Sequence, residues 1–231
     1  MRLRNKKWVK QYLQDNENFM INPEEELNAY KVFDSNRDIF LEIGAGKSKF
    51  CTELAQQNPD VNIIAMEKEP TVVAVGLRQC LKKQNITVDS LRNLKYVITY
   101  LEKYEKNIAS DSIARIYLNF SDPWPKARHA KYRLTGRKYL KIYNRILADG
   151  GEIHIKTDND GLYKFTLDEV IFSNFKIIAN ESDLYNNAEM MKNNIQTSYE
   201  TKFVDMGIKI KKIVLRKKDG QPKRDNEKQG S

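Results

Sequence analysis

Cysteine and histidine are scarce: the 231 residues hold two of each, Cys51, Cys80, His129 and His154. So few cysteines exclude a disulfide-stapled scaffold and a cysteine-based zinc cluster. No metal-ligand spacing is present either, so no metal is expected. Long apolar runs are also missing. The longest, such as Ile39 to Ile43 and Ile63 to Met66, span only a few residues, against the ~20 that a bilayer crossing needs. The opening stretch MRLRNKKWVK is charged with no apolar segment behind it, which does not fit a secretory signal. These absences predict a reducing, cytoplasmic setting and no membrane association. Apolar residues still make up 40% of the chain and aromatics 10%, enough for one large core.

Acid is what three stretches lack. Residues 1–10, 123–145 and 207–218 contain no Asp or Glu, yet hold 19 of the 40 Lys and Arg residues. The rest of the chain is acidic on balance, with 21 cations against 31 acids, while the whole carries +9. Such segregation suits a protein that lays one face on phosphates. A membrane surface fits less well, because no cluster forms an amphipathic helix with a broad apolar face.

Proline and glycine punctuate the chain into alternating strands and helices. Apolar runs predict strands at Ile39–Ile43, Val61–Met66, Leu94–Thr99, Ile113–Phe120, Glu152–Lys156, Phe175–Ala179 and Ile208–Leu215. Helical patterns fall between them, around Phe50–Ala55, Val72–Leu81, Tyr139–Leu147 (stopped by Asp149-Gly150-Gly151) and Leu162–Phe172. This alternation argues for an α/β fold with a Rossmann-like, doubly wound, mostly parallel seven-stranded sheet. Residues 1–37 form a basic N-terminal arm and helix, 38–215 the main domain, and 216–231 have the composition of a disordered tail. No long apolar surface stripe is visible, so monomer and homodimer both stay open and no protein partner is implied.

In doubly wound sheets ligands bind beyond the carboxyl ends of the strands. Gly44 and Gly46 follow the first of these strands and permit a tight turn with close approach of a ligand. Lys49 stands where a dinucleotide fingerprint has its third glycine. Glu67 ends the second strand, 21 residues after Gly46, where a carboxylate can accept from both ribose hydroxyls of a nucleoside. Glu42 at the turn would repel a pyrophosphate and attract a cation. This favours S-adenosylmethionine, with its sulfonium and ammonium groups, over NAD.

The fourth strand runs into Asn119-Phe120-Ser121-Asp122-Pro123-Trp124-Pro125-Lys126. Two prolines around a tryptophan stiffen the loop and suit a site that must orient two substrates. Asp122 would face the nucleoside, Trp124 offers a stacking face and Lys126 a phosphate contact. The run Tyr117 to Lys126, continued by Arg128-His129 and Arg133-Leu134-Thr135, resembles the signature of the tRNA (guanine-N7)-methyltransferase family. Further pieces are similar to that family in order and spacing: Glu42-Ile43-Gly44-Ala45-Gly46-Lys47, Lys156-Thr157-Asp158-Asn159, Thr197-Ser198-Tyr199-Glu200-Thr201-Lys202-Phe203 and the arm Arg2-Leu3-Arg4.

The resemblance implies methyl transfer from S-adenosylmethionine to N7 of a guanosine in the variable loop of tRNA. It implies that Glu42, Glu67 and Asp122 contact the donor, with Asp122 the catalytic residue. Lys126, Asp158, Thr197, Tyr199 and Glu200 would contact the guanosine. Arg2, Arg4, Arg128, His129 and Arg133 are expected on the tRNA backbone. Where the family often carries an acid near the adenine, this chain reads Ile98-Thr99-Tyr100-Leu101, and adenine recognition there falls to backbone groups or to Tyr100. Three rival readings stay open from residues alone: a nicotinamide oxidoreductase, an RNA-binding protein without catalysis, and a methyltransferase with another target. Cys51 and Cys80 read as helix-packing residues, and His154, between Ile153 and Ile155, as structural.

Overall fold

The computed structural model describes residues 6–82, 86 and 89–219. Eight strands form one sheet: β1 (Met20–Ile21), β2 (Ile39–Ile43), β3 (Asn62–Glu67), β4 (Leu94–Ile98), β5 (Ile113–Asn119), β6 (Leu147–Thr157), β7 (Phe175–Glu181) and β8 (Lys211–Lys217). Their order is β1-β4-β3-β2-β5-β6-β8-β7. All described pairings are parallel except those of β8 with β6 and β7. The helices are α1 (Trp8–Asp15), α2 (Ala29–Phe33), α3 (Lys49–Gln57), α4 (Pro70–Leu81), α5 (Leu101–Tyr104), α6 (Arg137–Ile146), α7 (Asp160–Val170), α8 (Ala188–Met191) and α9 (Ser198–Asp205).

Every residue of β2 is buried, Glu42 included, as befits a mainly apolar strand covered on both faces. Alternate side chains of β3 feed opposite layers. Ile63 and Ala65 join Phe50, Leu54, Val73 and Leu77 of α3 and α4, while Ile64 and Met66 join Tyr139, Tyr143 and Ile146 of α6. The result is a three-layer sandwich.

The strand pattern expected from sequence is present, with three differences. The sheet has eight strands rather than seven, because Met20 and Ile21 pair with Tyr96 and Val97 at one edge. A two-residue strand carries no periodicity to detect. The fifth expected strand starts at Leu147, not Glu152. Asp149-Gly150-Gly151 lies inside it, with Gly150 at φ +70° beside a register shift between Ile113 and Arg115, so these glycines bend a strand instead of stopping a helix. The last strand runs to Lys217, past the expected start of the tail. The tail from residue 220 on, like Arg2 and Arg4, lies outside the described residues.

Chain order along the sheet reverses between β2 and β5, so the connections leaving their carboxyl ends run in opposite directions and leave a crevice at that point.

Candidate active site

The crevice opens into a cavity of about 940 Å³. Among its lining residues are Glu42, Gly44, Gly46, Glu67, Asp122, Thr197 and Tyr199. Residues from four separate sequence segments are thus brought to one place.

The turn after β2 is built for close approach. Gly44 and Gly46 have φ of +80° and +56°, and a Cβ on either would meet nothing within 4 Å, so the bare backbone faces the cavity. Both Gly44 N and Ala45 N donate to Met66 O at 2.9 Å, fastening the turn to β3. The third glycine missing from the fingerprint has a counterpart elsewhere. Gly76 on α4 lies so close to the turn that a side chain there would collide with the Lys47 carbonyl. Glu67 accepts from Gly46 N at 3.0 Å on one oxygen, and from Lys68 N at 2.8 Å and Glu69 N at 3.1 Å on the other. Its carboxylate is thereby fixed at the end of β3.

Glu42 is only 3% exposed. Asn119 Nδ2 donates to one carboxyl oxygen and Cys51 Sγ to the other, each at 2.8 Å. Burial pushes its pKa up to about 7, against the pull of those two bonds and of the Lys156 charge. Cys51 therefore orients Glu42, a contact that a packing reading of the cysteine misses.

The loop from Asn119 to Lys126 is bent at two places. Phe120 and Trp124 have φ of +53° and +42°, a left-handed conformation that costs a non-glycine residue about 1–3 kcal/mol. Its ends are tied down. Phe120 N donates to Lys156 O at 2.8 Å, and the Arg133 guanidinium donates to Pro123 O and Trp124 O, both at 2.9 Å. Asp122 is presented, exposed, between the two bends. Trp124 packs against Tyr132 at 5.3 Å and edge-on to His129 at 5.6 Å, an aromatic lip on the cavity.

The opposite wall is α9. Thr197 Oγ1 accepts from Glu200 N and the Glu200 carboxylate accepts from Thr197 N, a reciprocal cap. Tyr199 stands 63% exposed beside the cavity, and Phe203 packs on Phe120 at 5.8 Å.

Other expected contacts are placed differently. Glu200 is fully buried and outside the cavity lining; its carboxylate takes Lys156 Nζ at 2.5 Å, Asn194 Nδ2 at 2.6 Å and Tyr185 OH at 3.1 Å. Arg133, expected on phosphates, gives its guanidinium to the loop and lies over the Phe165 ring at 4.4 Å. Asp158 is half-buried between β6 and α7, where its carbonyl accepts from Lys211 Nζ, and does not line the cavity. Lys126 and Arg128 are exposed outside the cavity lining, next to the half-buried His129.

A reversed last strand in a parallel sheet, with a glycine turn and an acid closing the next strand around one large hollow, defines a class I methyltransferase. The residues fit a nucleoside methyl donor: open peptide planes at Gly44 and Gly46, a carboxylate fixed for ribose hydroxyls and a buried acid for a cation. Comparison with known proteins narrows the class. The family described as "Putative methyltransferase" matches residues 36–213. The tRNA (guanine-N(7)-)-methyltransferase of Mycoplasma capricolum is 45% identical over 94% of this chain and 99% of its own length. That of Lysinibacillus sphaericus is 40% identical over 92% and 96%. The fold is shared more widely, as with the 16S rRNA methyltransferase KamB, at 13% identity and a TM-score of 0.58 over 84% of this chain and 95% of that one. The chain belongs to the tRNA (guanine-N(7)-)-methyltransferase family.

Proposed function

We propose that this chain transfers a methyl group from S-adenosylmethionine to N7 of a guanosine in the variable loop of tRNA. One observation carries the reading: Glu42, Glu67 and Asp122, far apart in sequence, share one cavity with Thr197 and Tyr199. Glu67 holds the ribose hydroxyls, Glu42 attracts the cationic end, and Gly44 and Gly46 let the turn lie against the ligand. When bound, the donor supplies an electrophilic methyl.

Guanine N7 has an in-plane lone pair and no proton, so no general base is required. Catalysis then consists of alignment and electrostatics. The guanine gains positive charge as the methyl arrives, and the Asp122 carboxylate on the cavity wall offsets it. Tyr132 and Tyr199, 45% and 63% exposed, and Trp124 offer ring faces to a base drawn out of the folded RNA. Lys126, Arg128 and His129 lie outside the lining, where a phosphate backbone would pass. The protein acts in the cytoplasm, as a monomer or homodimer.

The test is incubation with methyl-labelled donor and unmodified bulk tRNA, followed by digestion to nucleosides and mass spectrometry. Label on 7-methylguanosine is expected. Label on adenosine, on cytidine or on no nucleoside overturns the reading.

A further inference from the structure

Among the described residues, four acids line the cavity: Glu42, Glu67, Asp122 and Glu102. The first three have roles in the transfer, and Glu102 has none. It lies in α5, the short helix that follows β4. Leu101 and Tyr104 of that helix are buried in the core and fix its place. Two donors hold the Glu102 carboxylate, Tyr139 OH and, at 3.4 Å, Lys138 Nζ. Both reach the same oxygen, Oε1, so Oε2 takes part in neither bond. The side chain keeps 35% of its surface exposed. Burial raises its pKa, but the bonds from Tyr139 and Lys138 outweigh that and hold it below the ordinary carboxylate value. At neutral pH it is therefore an acceptor only.

Sheet order decides which part of the donor comes near it. The strands stand side by side as β4, β3, β2, β5. The glycine turn leaves β2 and Glu67 closes β3. Thr99 N donates to Glu67 O at 3.1 Å, so the end of β4 adjoins the ribose acid directly. In a nucleoside the base and the 5′ arm leave the sugar on opposite sides of its ring oxygen. With the hydroxyls on Glu67 and the 5′ arm directed to Gly44 and Gly46, the base points over the end of β4. There Thr99, Tyr100, Leu101 and Glu102 line the cavity. We propose that Glu102 reads the adenine of the donor, its carboxylate accepting from the exocyclic 6-amino group, and that Tyr139 is the positioning residue that holds it. This rests on the reading of Glu67 as the ribose acid. It replaces the expectation that backbone groups or Tyr100 alone serve the base. A carboxylate selects a 6-amino purine and repels a purine with a carbonyl at that position. A hydrogen bond to a charged acceptor is also the stronger kind.

A glutamate that only ties α5 to α6 would affect every donor alike, so the test reads a ratio. The affinities of S-adenosylhomocysteine and of its analogue with hydrogen in place of the 6-amino group are measured by calorimetric titration. The wild type should bind the amino compound about tenfold or more tighter. Glu102→Met removes the acceptor and should bring the two affinities together. Glu102→Gln leaves Tyr139 OH an oxygen to donate to and should give an intermediate ratio. Equal affinities in the wild type overturn the proposal, whether or not either variant folds. A ratio that persists undiminished in Glu102→Met means that another group reads the amine, and overturns it too. If Glu102→Met does not fold, an undiminished ratio in Glu102→Gln has the same force. If neither compound binds the wild type, the donor reading itself fails. Binding without discrimination sinks the role of Glu102 alone.

Discussion

With its two oxygens held by Asn119 and Cys51, the Glu42 carboxyl is poised near neutrality, its pKa about 7 because burial disfavours the charge. A cationic ligand favours the ionised form. Below pH 7 the acid must lose a proton on binding, and above it the acid is already charged. Affinity for S-adenosylhomocysteine, whose ammonium remains positive, should be flat above about pH 7 and weaken about tenfold per unit below it. Calorimetric titration across that range checks this. Glu42→Gln should bind more weakly and flatten the profile, and a flat wild-type profile would exclude Glu42 as the group. Asp122 makes a sharper case. Asp122→Ala should lower kcat about 10²–10³-fold, the scale of losing one preorganised electrostatic partner, with tRNA affinity nearly unchanged. A variant that kept most of its rate would remove Asp122 from the chemistry. At this scale the sequence was readable for position where it put a glycine turn or a carboxylate near a strand end: Gly44, Gly46, Glu42, Glu67 and Asp122 all line the cavity. Asn119, Cys51 and Lys156 escaped because their roles come from sheet register and helix packing, not from local spacing. Glu200 misled for a related reason. Its place in the motif suggests a ligand contact, but the carboxylate at the third position of a helix folds back on its own cap.

Elements were legible where periodicity ran long enough and missed where glycine was ambiguous. Gly150 sits at positive φ inside β6 instead of ending α6. The short β1 and the N-terminal α1, whose only buried residue is Val9, left no clear pattern. β7 is an edge strand with exposed Ile177 and Ile178, and a register shift between Ile177 and Ala179 together with Lys176 blunts that edge against pairing with another chain. Two elements bear directly on the site. α4 presses Gly76 against the Lys47 carbonyl of the donor turn, so Gly76→Ala should cost about 1–3 kcal/mol by overpacking. It should also weaken donor binding, and thermal melts with and without S-adenosylhomocysteine would separate the two effects. The loop after β5 depends on Arg133. Arg133→Met keeps an apolar stem over Phe165 but loses both donors to the loop carbonyls. Turnover should fall while the salt dependence of tRNA binding stays as in the wild type. A reduced salt slope would instead return Arg133 to the phosphates.

Seen as a whole molecule, the three acid-free stretches divide once their partners are known. In 207–218, Lys211 and Lys217 are each 7% exposed and paired with Asp160 and Asp111, and Arg216 pairs with Glu152. That stretch mainly holds β8 in the sheet. In 123–145, Arg137, Lys138 and Arg145 pair with Glu169, Glu102 and Glu105, and Arg133 serves the loop. Among the described residues, the exposed cations of the first two stretches not so engaged are Lys6, Lys7, Lys10, Lys126, Arg128, Lys131 and Lys141. Composition showed the charge but could not separate cations that face acids inside the fold from those that face water. Polyanion binding should follow the second group alone. If about six phosphates are neutralised, tRNA affinity should fall about 10³-fold between roughly 50 and 200 mM salt. Lys126→Ala should weaken tRNA binding and reduce the slope of log affinity against log salt by about one. Lys217→Met should leave that slope unchanged and lower the melting temperature, because it strips Asp111 and the Leu147 carbonyl of their partner. Filter binding across a salt series decides between the groups. A Lys217 variant with a shallower slope would mean that the 207–218 stretch also grips RNA, and a Lys126 variant with an unaltered slope would mean that the backbone passes elsewhere on the molecule.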